Sequence, residues 1–211
     1  MARTRATDYD DKRRAILDRS AELFAEYGYD RASMSKIAEA CGVSKANLYH
    51  YYKDKEELLF DVIRFHLEEL LEVVEAADNP DLPPGDRLRI LIAAILEAYR
   101  DADAQHNVQI NGLRLLPPDR QAELKAMERE LVHIFSDAVA GVAPQLKGTR
   151  LLKPVTMSLF GMINWHYLWF KSSGGVSRAD YAELVSQLLV DGTRNLHPEP
   201  SADASRIHAA E

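Results

Sequence analysis

Apolar side chains along this chain recur three and four positions apart, and they nowhere alternate long enough to suggest a strand. The first stripe, Ile16, Leu17, Ala21, Leu23, Phe24 and Tyr27, stops at Gly28, a residue that ends helices readily because it adopts positive φ. A longer stripe runs from Lys55 to Ala77 and carries Leu58, Val62, Phe65, Leu70 and Val73. Further helices are expected over 86–102, 106–115, 118–141, 150–172 and 177–196. They are separated by Asn79–Gly85, Pro117-Pro118, Pro144–Gly148 and Gly174-Gly175. The pattern therefore predicts an all-α protein of about nine helices, with no internal repeat. The longest apolar run, Val155–Phe170, is broken by Thr156, Ser158, Asn164 and His166; it is too short to span a bilayer and is expected to be a buried helix. Residues 197–211 have the composition of a disordered tail.

The densest local signals lie in residues 33–59. Ser33 and Ser35 supply hydroxyl caps ahead of a short helix that places Ile37 and Ala38 inward. Gly42 stops that helix, Val43 plugs the corner, and Ser44 caps the next. Ala38 is small where two helices joined by a short turn must cross. In the second helix, at roughly 100° per residue, Leu48, Tyr51 and Tyr52 fall together toward a core. Ala46 and His50 point away, with Lys45, Asn47 and Tyr49 on the flanks. Asn47 suits an adenine edge, whereas Lys45 and Tyr49 suit phosphate oxygens. The spacing predicts a helix-turn-helix that enters the DNA major groove; a solvated helix in an ordinary bundle would not need the cap–Ala–Gly–Val–cap series.

These residues resemble the TetR/AcrR family of bacterial regulators, whose pattern is roughly T-x-x-x-I-A-x-x-A-G-V-S-x-x-x-L-Y-x-H-F-x-x-K-x-x-L. The matching residues are Ser33, Ile37, Ala38, Cys41, Gly42, Val43, Ser44, Leu48, Tyr49, Tyr51, Tyr52, Lys55 and Leu58. The resemblance covers residues 12–60 closely. Three positions depart from the pattern: Cys41 stands for Ala, Ser33 for Thr, and Tyr51-Tyr52 for His-Phe. Ser33 keeps the hydroxyl that the family uses on a phosphate, and the contact of the missing histidine passes to Tyr51 or His50. The resemblance implies a DNA-binding domain of three helices over 1–54 and a larger helical effector-binding and dimerisation domain over 55–196. The residues expected at the DNA are Ser33, Ser35, Lys36, Ser44, Lys45, Ala46, Asn47, Tyr49, His50, Tyr51 and Lys55.

The resemblance also implies a homodimer joined through the last two helices. On 177–196, Tyr181, Leu184, Val185, Leu188, Gly192 and Leu196 form one face, and Gly192 permits close approach. Tyr181, Leu184, Leu188 and Gly192 are the expected dimer contacts. Two heads would meet half-sites about 34–36 Å apart, or a multiple of that turn.

Charge refines this picture. The net −7 is uneven: residues 1–60 hold 11 Lys and Arg against 11 Asp and Glu, leaving 15 against 22 in the rest. An acidic body with a neutral head limits indiscriminate adhesion to nucleic acid, while Lys36, Lys45, Lys53 and Lys55 serve phosphates locally. Arg3 and Arg5 could form a minor-groove arm or a merely solubilising terminus. A single cysteine, Cys41, excludes an internal disulfide and reads as a small buried hydrophobe. The polar N-terminus shows no signal peptide, so the expected compartment is the cytoplasm.

An effector cavity is expected from apolar walls bearing a few amides and a cation. The candidates are Phe65, Asn111, Arg114, Phe160, Asn164, Trp165 and Leu168, although the aromatic stripe equally suits a core or a dimer interface. The stretch from Phe160 to Gly192 is similar to family members that sense acyl-CoA thioesters, which makes such a thioester the leading effector; Arg114, Arg120 or Lys171 could meet its phosphates. An uncharged aromatic or lipophilic compound is the next candidate. The helix 55–77 would act as the lever between cavity and DNA, with release of the operator as the response. No cofactor is expected and no enzyme: there is no H-E-x-x-H, no G-x-S-x-G and no phosphate-cradling glycine loop. His66, His106, His133 and His166 could still converge on a metal. Two other classes stay open, a DNA binder of this fold without an effector and a helical small-molecule-binding protein or enzyme.

Overall fold

The computed structural model describes residues 2–171 and 173–196, with side chains from Tyr9 onward. The described residues are helical, with no strand. The α-helices are α1 Ala2–Tyr27, α2 Met34–Ala40, α3 Lys45–Tyr51, α4 Lys55–Ala77, α5 Pro84–Ala98, α6 Asp103–Gly112, α7 Pro118–Val142, α8 Leu152–Asn164, the single turn α9 His166–Trp169, and α10 Arg178–Thr193. Short 3-10 turns at Leu113–Leu115 and Pro144–Leu146 follow α6 and α7. The expected tail at 197–211 and the side chains of Arg3 and Arg5 lie outside the described residues.

The chain forms two compact units. The first unit comprises residues up to Glu69 together with Asp101–Glu128; the second comprises Leu70–Arg100 and residues from Arg129 onward. In the first, Ile16, Leu17 and Phe24 of α1 pack with Ile37, Leu48, Tyr52, Leu58, Leu59 and Ile63. The early turns of α4 thus share a core with the three helices before them. Burying each such aliphatic side chain contributes roughly 1.5–3 kcal/mol relative to leaving it exposed. The segment 106–115, expected in the sensor, also joins this unit. Its helix α6 packs along α1 and, with the 3-10 turn after it, buries Val108 and Leu113 in the same core. A Cβ at Gly112 would meet a Leu59 methyl at 3.1 Å, so the glycine lets α6 approach α4.

In the second unit, α5 buries Leu88, Leu91, Ile92, Ile95 and Leu96 and packs against α10. It begins at Pro84, two residues earlier than expected, because proline is tolerated in a first turn. It closes at Tyr99, just before Asp101 takes a positive φ of 60°. The expected helix 150–172 is interrupted: α8 ends at Asn164, and the Trp165 amide bonds to the Ile163 carbonyl. Beyond that break His166 inserts between Phe170 and Tyr181, with ring centroids 4.2 and 5.5 Å away. Nor is Val155–Phe170 a buried helix throughout. Met157, Trp165, Leu168 and Trp169 are large apolar side chains left exposed, as are Leu184 and Leu188 of α10.

Candidate nucleic-acid interface

The helix-turn-helix is built by local chemistry. Ser33 lies in extended conformation, and its hydroxyl accepts from the Lys36 amide at 3.3 Å, which starts α2. α2 ends at Cys41, and Gly42 turns the chain at φ +66°, a conformation that L-residues with a Cβ avoid. The Val43 amide closes back onto the Ala38 carbonyl at 3.0 Å. Ser44, again extended, accepts from the Asn47 amide at 3.1 Å and caps α3. Each cap satisfies a helix-terminal N–H that would otherwise lack a partner. Both serine hydroxyls keep their own proton available to donate outward.

These caps fix which side chains of α3 face outward. Leu48 is fully buried and Tyr52 is 2% exposed, while Lys45, Ala46, Asn47, Tyr49 and His50 are exposed. Ser33, Ser35, Lys36 and Ser44 are exposed as well. The Lys45 ammonium lies 5.8 Å from the centre of the Tyr49 ring. Nine of the eleven expected DNA residues are thus solvent-facing, on α2 and its N-terminal cap, on α3, and on the turn between the two helices.

Two of the eleven sit differently. Tyr51 is half-buried and stacks on Tyr9 of α1, with centroids 4.8 Å apart. Lys55 is drawn inward: its ammonium donates to the Tyr29 carbonyl at 2.6 Å and lies 4.1 Å from that ring's centre. Its charge already serves the corner after α1, which places it further from the phosphate role expected of it. Cys41 packs partly against the core, and burial raises its thiol pKa, which disfavours the reactive thiolate.

Sequence reasoning missed Tyr9, Arg13 and Asp61. The Arg13 Nε donates to the Tyr52 hydroxyl at 3.2 Å, and the same guanidinium pairs with Asp61 of α4. These partners lie 39 and 48 residues along the chain from Arg13, beyond the reach of any helical period.

The effector candidates divide between the units. In the first, Asn111 and Arg114 line a cleft of about 250 Å³, which Tyr29, Leu59 and Asn107 also border. Phe65 lies instead beneath the Arg14 guanidinium, 4.7 Å away. In the second, Phe160 is buried edge-on against Phe135 at 5.2 Å. The Asn164 carboxamide accepts from the buried Tyr99 hydroxyl at 2.9 Å. Trp165 and Leu168 are 60% and 57% exposed. Among the expected dimer contacts, Leu184 and Leu188 are 48% and 55% exposed. Gly192 has open space beside it, and the half-buried Tyr181 donates to the Met162 carbonyl at 2.9 Å.

The histidines do not assemble a metal centre: among the described residues no group of three or more His, Cys, Asp or Glu could hold a metal ion. His66 and His106 pack edge to face at 6.0 Å. Burial, reinforced by His106, lowers the His66 pKa to about 3. His133 is exposed near Asp137, and His166 is lowered to about 4 by burial and then by Arg178. Among the described residues no helix is long and apolar enough to cross a membrane.

Comparison with known proteins agrees with this geometry. The family model for bacterial regulatory proteins of the tetR family matches residues 16–62, and the model for the tetracyclin repressor-like C-terminal domain matches residues 81–193. A TetR-family transcriptional regulator from Bordetella parapertussis 12822 is 38% identical with a TM-score of 0.80; the match covers 87% of this chain and 96% of that one. AibR, solved in complex with isovaleryl coenzyme A and operator DNA, is 27% identical with a TM-score of 0.74; it covers 85% of this chain and 98% of its own. The HTH-type transcriptional repressor KstR2 of Rhodococcus jostii (strain RHA1) is 23% identical, covering 88% of this chain and 93% of its own.

Proposed function

Because the chain belongs to the tetR family of bacterial regulatory proteins, we propose that it acts as a cytoplasmic homodimeric repressor that leaves a palindromic operator when a small-molecule effector binds. It is a transcriptional regulator and not an enzyme. The observation that carries the proposal is α3. It is capped by Ser44, anchored by Leu48, and presents Lys45, Ala46, Asn47, Tyr49 and His50 to solvent. Asn47 reads a base edge, while Lys45, Tyr49 and the hydroxyls of Ser33 and Ser44 hold phosphates. Ser35, Lys36, Tyr51 and Lys55 complete the proposed footprint, Lys55 chiefly by holding the corner that supports it.

The dimer is supported by Leu184 and Leu188, one turn apart on α10 and both exposed, and by the exposed Trp165, Leu168 and Trp169, since large apolar side chains left on a surface suit an interaction face. For the effector we favour an acyl-CoA thioester, by likeness to AibR and its isovaleryl coenzyme A. Asn111 and Arg114 are the polar groups proposed to face it, because both border a cleft. Effector binding releases DNA only if it favours a spacing of the two heads that the operator does not; a tenfold loss of affinity needs about 1.4 kcal/mol of such preference.

Selection of bound sequences from random duplex DNA, with and without isovaleryl coenzyme A, tests the proposal. Recovery of a two-fold symmetric site that the thioester abolishes supports reader, dimer and effector together. A symmetric site indifferent to the thioester removes the effector alone, and no symmetric site removes the dimeric repressor.

A further inference from the structure

We propose that Arg13 is a positioning residue for DNA reading, tying the C-terminal end of α3 to α4 so that the exposed side chains of α3 hold one orientation. The inference rests on α3 being the reading helix. Within its seven residues only Leu48 is fully buried and Tyr51 partly so, so the orientation of this short helix depends on what holds its C-terminal end. Arg13 and Tyr9 of α1 supply the contacts there.

Tyr52 closes α3, its amide donating to the Leu48 carbonyl, and its ring is buried in the core. From α1, Arg13 reaches both the Tyr52 hydroxyl and the Asp61 carboxylate of α4. Asp61 is only 8% exposed, and Arg64 holds its other oxygen with two donors at 3.2 and 3.1 Å. One helical turn before Arg13, the Tyr9 ring lies on Tyr51 with 23° between their planes. Residues 9 and 13 therefore share a face of α1 and grip the last residue of α3 and the residue that closes it. The guanidinium is suited to this because its planar fork addresses two acceptors at once in fixed directions, which an ammonium does not. A buried carboxylate in turn keeps the fork in place, since leaving it unpaired is costly. Hence the angle of α3 follows α4 through Asp61, Arg13 and Tyr52.

The test is fluorescence anisotropy with a duplex recovered by selection and with its scrambled counterpart, alongside thermal unfolding. Tyr52→Phe keeps the ring and removes only the hydroxyl; Asp61→Asn removes the charge. Each single variant is expected to lose about fivefold of its preference for the selected duplex, and the double variant no more, because the residues act as one unit. Affinity for the scrambled duplex and the salt slope should stay as in the wild type, since the phosphate contacts are untouched. Should Asp61→Asn fail to fold, Arg13→Lys paired with Tyr52→Phe gives the same comparison. Unchanged preference, losses that add in the double variant, or losses on both duplexes in proportion to the unfolded fraction would each overturn the proposal. A wild-type protein that does not distinguish the two duplexes would instead overturn the reading of α3 on which it rests.

Discussion

Ser44 caps α3 and is proposed to face DNA phosphates, and two substitutions pull these roles apart. Its hydroxyl accepts from the Asn47 amide at 3.1 Å, and its position at the start of α3 places it beside the expected DNA phosphates. Ser44→Ala removes the cap at a cost of about 1 kcal/mol, which for a chain of this size lowers Tm by roughly 2–4 °C. Ser44→Asp restores capping, because a carboxylate accepts the same amide, so its Tm should return toward the wild-type value. The same carboxylate, however, brings a negative charge to the phosphates. One unit charge at about 4 Å in water contributes about 1 kcal/mol of repulsion. Two heads on one operator then make about 2 kcal/mol, or roughly thirtyfold weaker binding. Calorimetry follows the first effect, and anisotropy with the selected duplex at low and high salt follows the second. The loss in Ser44→Asp should shrink as salt rises. A Ser44→Asp protein that binds as tightly as the wild type at low salt would refute the placement of this helix end against the duplex.

Leu188→Glu sets a charge in the exposed apolar stripe of α10, and sedimentation should then report a monomer that binds the operator at least tenfold more weakly. Phe160→Ala removes a buried ring packed on Phe135 and should lower the unfolding free energy by about 3–5 kcal/mol in urea titrations. Acid should destabilise the protein through its buried histidines. The pKa values of His166 and His66 are lowered to about 4 and about 3, first by burial, so the unfolded chain takes up their protons first. Their stability is fully present above about pH 6.5 and is lost progressively as pH falls toward those values. Urea midpoints measured across this range should decline less steeply in His166→Phe.

The reading head was legible because its determinants are local. Ser33 and Ser44 cap residues three positions on, Gly42 takes the positive φ expected of it, and Leu48 and Tyr52 are buried as the helical wheel requires. Where the outcome depends on a distant partner, the sequence was silent or misleading. The family pattern and the local charge offer Lys55 to phosphates, and neither signals that its ammonium donates to the Tyr29 carbonyl 26 residues earlier. The periodicity of 150–172 promised one helix, yet the aromatic sandwich around His166 turns the chain after Asn164. A wheel reports that Phe160 faces inward but not that Phe135 already fills the space. Nor does any local signal show that α6 packs on α1.

The central claim is that two copies of α3 enter successive major grooves on one face of a duplex. Hydroxyl-radical footprinting on the selected duplex tests it most directly. The account predicts two protected patches centred about 10–10.5 base pairs apart, or a multiple of that spacing, both abolished by Asn47→Ala combined with Tyr49→Ala. A single patch, or protection that survives this double substitution, would contradict it.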